Sequence, residues 1–407
     1  MKISFVVDKL SDRSGGAERV LIDTANRLFR AGHQVEILNF DIRRGNPFYK
    51  VDFGISCINL RTPEQALPAL LRTWKKISRK LVSKCPSFAP FDRLKFMNTH
   101  SDFARALRRY HIANPPDVIV PFMPPAFIAC ALGTTGGIPI VASLHNVPEQ
   151  DFANSERWDP TPYAQRRRLV LLDKMAGITV LLEEFRDWFP SHLHSRISVV
   201  PNAVEPVDPA LLQSARRGKT VMAVGRLTKV KRFDVLLRAW SSVERKYPDW
   251  KLEIYGVGPE QKQLESLVLD LGLRNARLKG HVRDIKERYL RSAFLAHPAE
   301  FEGWGLVVTE SLAAGMPVIA FADCSGVNRL VTNGVNGLLV SSDADRAAAL
   351  GAALDLFMSD PAYRSKLSLA GPPSVANYSP DAVMRIWESV LGEVVSAYQV
   401  RRGKTPL

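Results

Sequence analysis

The chain is poor in cysteine. Cys57, Cys85, Cys130 and Cys324 stand far apart, which argues against a disulfide framework or a metal knuckle and suits a reducing compartment. No apolar run is long enough to span a bilayer. The opening KISFVVD runs straight into a strand pattern and lacks the apolar core and cleavage site of a signal peptide. Short-period repeats and low-complexity tracts are absent. So is the dinucleotide fingerprint G-x-G-x-x-G, which disfavours a nicotinamide enzyme. No metal-ligand cluster stands out. Asp343-Ala344-Asp345 has a cation-binding spacing but precedes an Ala-rich helix pattern, where N-capping is the expected role of Asp.

What the chain has in excess is positive charge. Fifty-five Lys and Arg against 41 Asp and Glu leave a net charge of +14. That points to an anionic partner: nucleic acid, a membrane surface or a phosphorylated substrate. The charge concentrates at Glu64–Lys84, a predicted amphipathic helix with Trp74 on its apolar face. Lys75, Lys76, Arg79 and Lys80 lie opposite. Such a helix suits an anionic membrane surface. It equally suits an ordinary surface helix with its apolar stripe turned inward. Aromatic and basic residues are not interleaved as a base-stacking platform, so nucleic acid ranks last.

At 407 residues two domains are expected. Strand patterns at Lys2–Asp8, Val35–Phe40, Asp117–Phe122, Pro139–His145 and Gly177–Leu182 alternate with helical ones. The scheme repeats at Thr220–Leu227, Lys251–Tyr255, Ala276–Lys279, Phe294–His297 and Pro317–Phe321. Both halves read as α/β, doubly wound parallel sheets. The Pro-rich stretch Pro201–Gly218 is the expected join. The expected domains are 1–205 and 206–380, and the last helix, 381–407, has an apolar face that can cross back to the first.

Candidate site residues collect at strand ends, where open α/β sheets bind ligands. Gly15-Gly16 precede a helix that can favour an anion. His145 follows a strand and is well placed either for a substrate or for a structural hydrogen bond. In VGRLTKVK, Arg226 can fork two phosphate oxygens and Lys231 can add a point charge. Tyr255–Pro259, YGVGP, is a glycine turn at another strand end. EGWGLVVTESLAAGMPVIAF carries Glu302 and Glu310 on either side of a Gly-Trp-Gly turn and a helix start. Two carboxylates there can hold sugar hydroxyls beside a phosphate on the helix N-terminus. A turn, a helix with an early acid and a buried strand would account for the same residues.

Taken in order, Gly15-Gly16, His145, VVPNAV at 199–204, VGRLTKVK, YGVGP and FEGWGLVVTESLAAGMPVIA resemble the retaining family 4 glycosyltransferases of GT-B fold. Among these they are most similar to bacterial polysaccharide enzymes of the amylovoran type. The likeness spans most of the chain and is strongest from Val199 to Val340. It implies two Rossmann-like domains facing across a cleft, an acceptor domain first and a nucleotide-sugar domain second. It also implies transfer of a hexosyl unit from a nucleotide sugar, expected to be a UDP-sugar, to a lipid-linked or oligosaccharide acceptor. Neither metal nor cofactor is needed, and the enzyme would be cytoplasmic, peripheral on the inner face of the membrane. By position, Arg226 and Lys231 bind the diphosphate with the amides of Gly305, Leu306 and Val307. Glu302 holds sugar hydroxyls, Glu310 the ribose, and His145 approaches the sugar. Gly16 lies near the phosphates and Gly256 beside the base or ribose. Trp304 departs from the Phe usual in the family. A sugar-nucleotide epimerase on the same fold and a non-enzymatic nucleic-acid-binding protein are the competing readings.

Overall fold

Short apolar runs bounded by Pro and Gly become the buried strands of parallel sheets, where both faces are covered and little alternation is needed. The computed structural model describes all residues except 62–88, 134–136, 155–156, 159–160, 283, 344, 402 and 404–407. The basic helix expected at Glu64–Lys84, with Lys75, Lys76, Arg79 and Lys80, lies outside the described residues. Among the described residues no helix is long and apolar enough to cross a membrane. The chain divides into two compact units: Met1–Pro201 with Met384–Leu407, and Asn202–Val383.

In the first unit, β1 (Lys2–Val7), β2 (Gln34–Asn39), β3 (Ser56–Asn59) and β4 (Val118–Pro121) pair in the order β3-β2-β1-β4, all parallel. A second sheet runs β5-β6-β7, formed by β5 (Val141–Ser143), β6 (Gly177–Val180) and β7 (Ile197–Val199). Single parallel bridges, Ile119 to Ile140 and Phe122 to Ser143, set β5 beside β4. The C-terminal helix Pro380–Arg401 packs in this unit. Its Trp387, Leu391 and Val395 are buried. Gly177 leaves room for Val394, whose Cγ2 would lie 3.1 Å from a Cβ there.

The second unit is one six-stranded sheet in the order β10-β9-β8-β11-β12-β13. Its strands are β8 (Thr220–Val224), β9 (Lys251–Tyr255), β10 (Ala276–Gly280), β11 (Phe294–His297), β12 (Val318–Phe321) and β13 (Gly337–Val340). This is the 3-2-1-4-5-6 order of a doubly wound nucleotide-binding fold. Its switch point, where strand order reverses, lies between β8 and β11. The helix Phe233–Val243 buries Leu236, Leu237 and Trp240. Asp345 caps the helix Arg346–Ser359 by accepting from the amides of Ala347 and Ala348, so its carboxylate does the work expected of an N-cap.

The structure adds β3, β7 and β13 to the strands expected from sequence, each at a sheet edge. It also adds helices at Ala89–Ala113 and Pro361–Ser374. The second ends in Gly371-Pro372-Pro373, residues that read as a break. Gly371 is needed because a Cβ would stand 2.7 Å from the Leu312 carbonyl oxygen.

Candidate active site

Everything that follows β8 and β11 converges on the switch point of the second unit. Past β8 the chain does not leave its neighbour. Gly225 donates to the Tyr255 carbonyl at 3.0 Å and Leu227 to that of Val257 at 3.1 Å, so the two strand-end turns stay zipped together. Glycine is required at this contact. A Cβ on Gly256 would stand 1.9 Å from the Gly225 carbonyl oxygen, and φ of Gly256 is +141°. The expected base or ribose position at Gly256 is thus a backbone platform for the Arg226 turn.

Arg226 sits two residues past β8 with its side chain exposed. Lys231 ends a short 3-10 turn, Lys229–Lys231, and its aliphatic stem crosses Gly225, with Cδ and Cε 3.6 Å from where a Cβ would be. That path carries the ammonium to Glu302, and Nζ donates to Oε1 of the carboxylate. Side chains of both are mostly buried, 18% and 16% exposed. His297, the last residue of β11 and 2% exposed, places Nε2 3.1 Å from the same oxygen. Burial would raise the pKa of Glu302. Lys231 and His297 override it and pull the value down to about 2. The carboxylate is therefore a fixed anion at any physiological pH.

The backbone of Glu302 is held as firmly as its side chain. Its amide donates to the Ser325 carbonyl at 3.0 Å, beside a parallel bridge from Phe301 to Ser325. Gly326, at φ +79°, lies so close that a Cβ would meet the Glu302 carbonyl oxygen at 2.2 Å. Gly305, at φ +77°, turns the chain into the helix Leu306–Ala313. The first amides of a helix have no intrahelical acceptor, so those of Leu306 and Val307 open an anion site at its start. Trp304 is buried edge-on against Tyr378, with ring centroids 4.8 Å apart at 85°. Glu310, on the same helix, accepts a 2.9 Å bond from the hydroxyl of buried Tyr289.

Lys231 and Glu302 are thus brought into contact, with Arg226, Gly256, Gly305, Leu306, Val307 and Glu310 on elements of the same unit. Gly16 and His145 belong to the first unit. Gly16 opens the helix Gly16–Arg30 after β1. Glu18 folds back over this N-terminus, its Oε2 2.2 Å from where a Cβ on Gly15 would be, and supplies the negative charge such an end favours. His145 stacks on Phe122 at 4.4 Å. Its Nε2 lies 2.8 Å from the Ser143 hydroxyl, which accepts from Thr179 at 2.9 Å. Sequence reasoning missed His297, Gly326, Tyr289 and the Ser143–Thr179 relay. For His297 the signal was a histidine ending a wholly apolar strand. For Gly326 it was the small pair Ser325-Gly326 just past β12.

The fold agrees with that of known proteins. Two Rossmann-like parallel-sheet units give the GT-B fold, and the solved structure of Anabaena HepE in complex with UDP and glucose superposes with a TM-score of 0.69. That alignment covers 96% of this chain and 99% of HepE at 18% identity, a likeness of fold. A family model for Glycosyltransferase Family 4 matches residues 14–207, and one for Glycosyl transferases group 1 matches 208–372. The chain belongs to the family 4 glycosyltransferases. An exopolysaccharide phosphotransferase of Streptomyces coelicolor is 26% identical over 97% of this chain, which spans 41% of that longer protein. An α-1,4-N-acetyl-D-galactosaminyltransferase of Campylobacter jejuni, named for an undecaprenol-diphosphate-linked saccharide, is 25% identical over 98% of this chain and all of its own length. The amylovoran biosynthesis glycosyltransferase AmsD of Erwinia amylovora is 28% identical over 44% of this chain and 49% of its own.

Proposed function

We propose that this glycosyltransferase moves a hexosyl unit from a UDP-sugar to a lipid-linked or oligosaccharide acceptor in bacterial surface polysaccharide synthesis, with retention at the anomeric carbon. The observation that carries the reading is the Lys231–Glu302–His297 cluster at the switch point, beside the helix start at Gly305. It combines a cation for the diphosphate with a carboxylate that stays ionised and can accept hydroxyl protons. The names of the Campylobacter and Erwinia relatives support the acceptor class, and HepE with UDP supports the base. Family membership favours transfer over the epimerase and nucleic-acid readings.

In this mechanism Arg226, Lys231 and the amides of Gly305, Leu306 and Val307 take up diphosphate charge as it develops, the task a metal ion performs elsewhere. Lys231 turns from Glu302 to the diphosphate. Glu302, with His297 beside it, accepts from the sugar hydroxyls, and Glu310 from the ribose. The bond from the anomeric carbon to the diphosphate oxygen breaks. The acceptor oxygen bonds that carbon on the same face, and its proton leaves with UDP. Glu302 is a holder and electrostatic stabiliser, not a nucleophile. The basic residues Lys75, Lys76, Arg79 and Lys80 meet anionic lipid.

A thermal-shift panel of UDP-, GDP- and ADP-sugars tests the donor, because a ligand that binds only the folded state raises the melting temperature. UDP-sugars should stabilise most. Glu302→Ala and Lys231→Ala should each cut transfer at least ~100-fold in a protein still folded at 25 °C. Wild-type transfer by either variant would overturn the assignment.

A further inference from the structure

The first unit carries a cavity that none of the site residues above uses. It has a volume of about 510 Å³, within the ~300–1,000 Å³ typical of small-molecule sites. It lies at the carboxyl ends of β1, β2 and β3. The switch point of that unit lies on the other side of β1, toward β4. Asn39, Asn46, Asn59, Arg44 and Arg61 line it, with the thiol of Cys57.

The frame is built rather than left over from loops. Buried Asp41 accepts from the amides of Leu10 and Ser11 at 3.1 Å and from Arg43 at 3.0 Å. Its own carbonyl accepts from Asn59 at 3.0 Å. The Ser11 hydroxyl donates to the Gly45 carbonyl at 3.1 Å, and an antiparallel bridge joins Ser11 to Pro47. The Asp41 carboxylate is thus consumed by backbone amides, and the turns after β1 and β2 are fastened to each other. Arg44 and Arg61 remain. Neither forms an ion pair with a described carboxylate, and the Arg61 guanidinium rests 5.3 Å from the Phe40 ring centroid. One further carboxylate is close: Asp12 Oδ2 lies over Gly45, 2.7 Å from where a Cβ would be.

Two guanidiniums and three side-chain amides on a fastened frame match a phosphate group, which takes forked N–H donors and single amide donors together. We propose that this cavity binds a phosphate or diphosphate group of the acceptor. The proposal rests on the transferase reading and narrows its acceptor to an anionic one. The phosphate can come from a lipid diphosphate or from a phosphorylated sugar.

The test uses the full chain saturated with UDP, so that the donor site is filled, and inorganic pyrophosphate as the probe. Two readouts apply: calorimetric binding, and the rate of Cys57 alkylation by iodoacetamide followed by peptide mass spectrometry. Pyrophosphate should slow Cys57 alkylation at least threefold. Arg44→Gln with Arg61→Gln should weaken pyrophosphate binding at least tenfold, remove the protection and leave UDP affinity within twofold. Displacement of pyrophosphate by geranyl diphosphate alone supports a lipid source, and displacement by glucose 1-phosphate alone a sugar source. Equal binding by the double variant, or no Cys57 protection in the wild type, overturns the proposal. UDP release from sugar nucleotides is scored separately. A chain that protects Cys57 yet never releases UDP keeps the cavity and loses the transferase reading.

Discussion

Glu302→Gln should cost stability in a way that depends on pH. The carboxylate has an ordinary pKa of 4.5, pulled to about 2 in the folded chain against the opposing effect of burial. At ~1.4 kcal/mol per pH unit, that difference stabilises the fold by about 3 kcal/mol at pH 7. A folded value below the unfolded one means that the contribution is complete above the ordinary pKa. It fades as pH falls toward the folded value, and by pH 3.5 about 1 kcal/mol of it is gone. Glutamine keeps the shape and removes the charge, and leaves the Lys231 ammonium in a mostly buried place without a counterion. The loss at pH 7 should be about 2–3 kcal/mol. Urea unfolding of wild type and variant at pH 7, 5 and 3.5, followed by Trp fluorescence, reads it. The gap between the curves should narrow with acid. Lys231→Met in the Glu302→Gln background should recover about 1–3 kcal/mol relative to additivity, because no charge is then stranded. A loss that is the same at pH 7 and 3.5, or two substitutions that simply add, refutes the account of the pair.

Gly326→Ala should lower the unfolding free energy by about 2–4 kcal/mol and reduce kcat, since a Cβ at this positive φ meets the Glu302 carbonyl oxygen at 2.2 Å. Circular dichroism melts and steady-state transfer check both. Tyr289→Phe removes one hydrogen bond to Glu310. It should raise KM for the donor severalfold with a stability cost of about 1 kcal/mol, and an unchanged KM would separate Glu310 from the ribose. Charge reversal at Lys75, Lys76, Arg79 and Lys80 should release the chain from vesicles rich in anionic lipid. Unaltered sedimentation with such vesicles removes the membrane proposal.

The central strands were legible because a strand buried on both faces is written as an unbroken apolar run. β4 and β12 read that way, β8 and β11 do so but for a terminal Thr or His, and β1 is broken past Lys2 only by buried Ser4. β3 and β7 did not, and both sit at sheet edges; β13, Gly337–Val340, is apolar and was missed at a third edge all the same. An edge strand such as Ser-Cys-Ile-Asn is half exposed, so its composition follows solvent as much as the core. The helix Pro361–Ser374 was hidden for a different reason. Gly371 answers to a neighbouring backbone, and local propensity carries no trace of that demand. The site divides along the same line. Arg226, Lys231, Glu302 and Glu310 follow strands or turns, where a charged residue is conspicuous. His297 is the opposite case: it ends an apolar strand and is 2% exposed, which by composition alone suits a structural histidine. Only the return of the chain after β11, clamped by Ser325 and Gly326, puts Glu302 Oε1 3.1 Å from its ring. The charge state of Glu302 is set by Lys231, 71 residues earlier, and by His297, five earlier. The sequence can therefore name the carboxylate, but what keeps it an anion is a property of the switch point, where the ends of β8 and β11 meet.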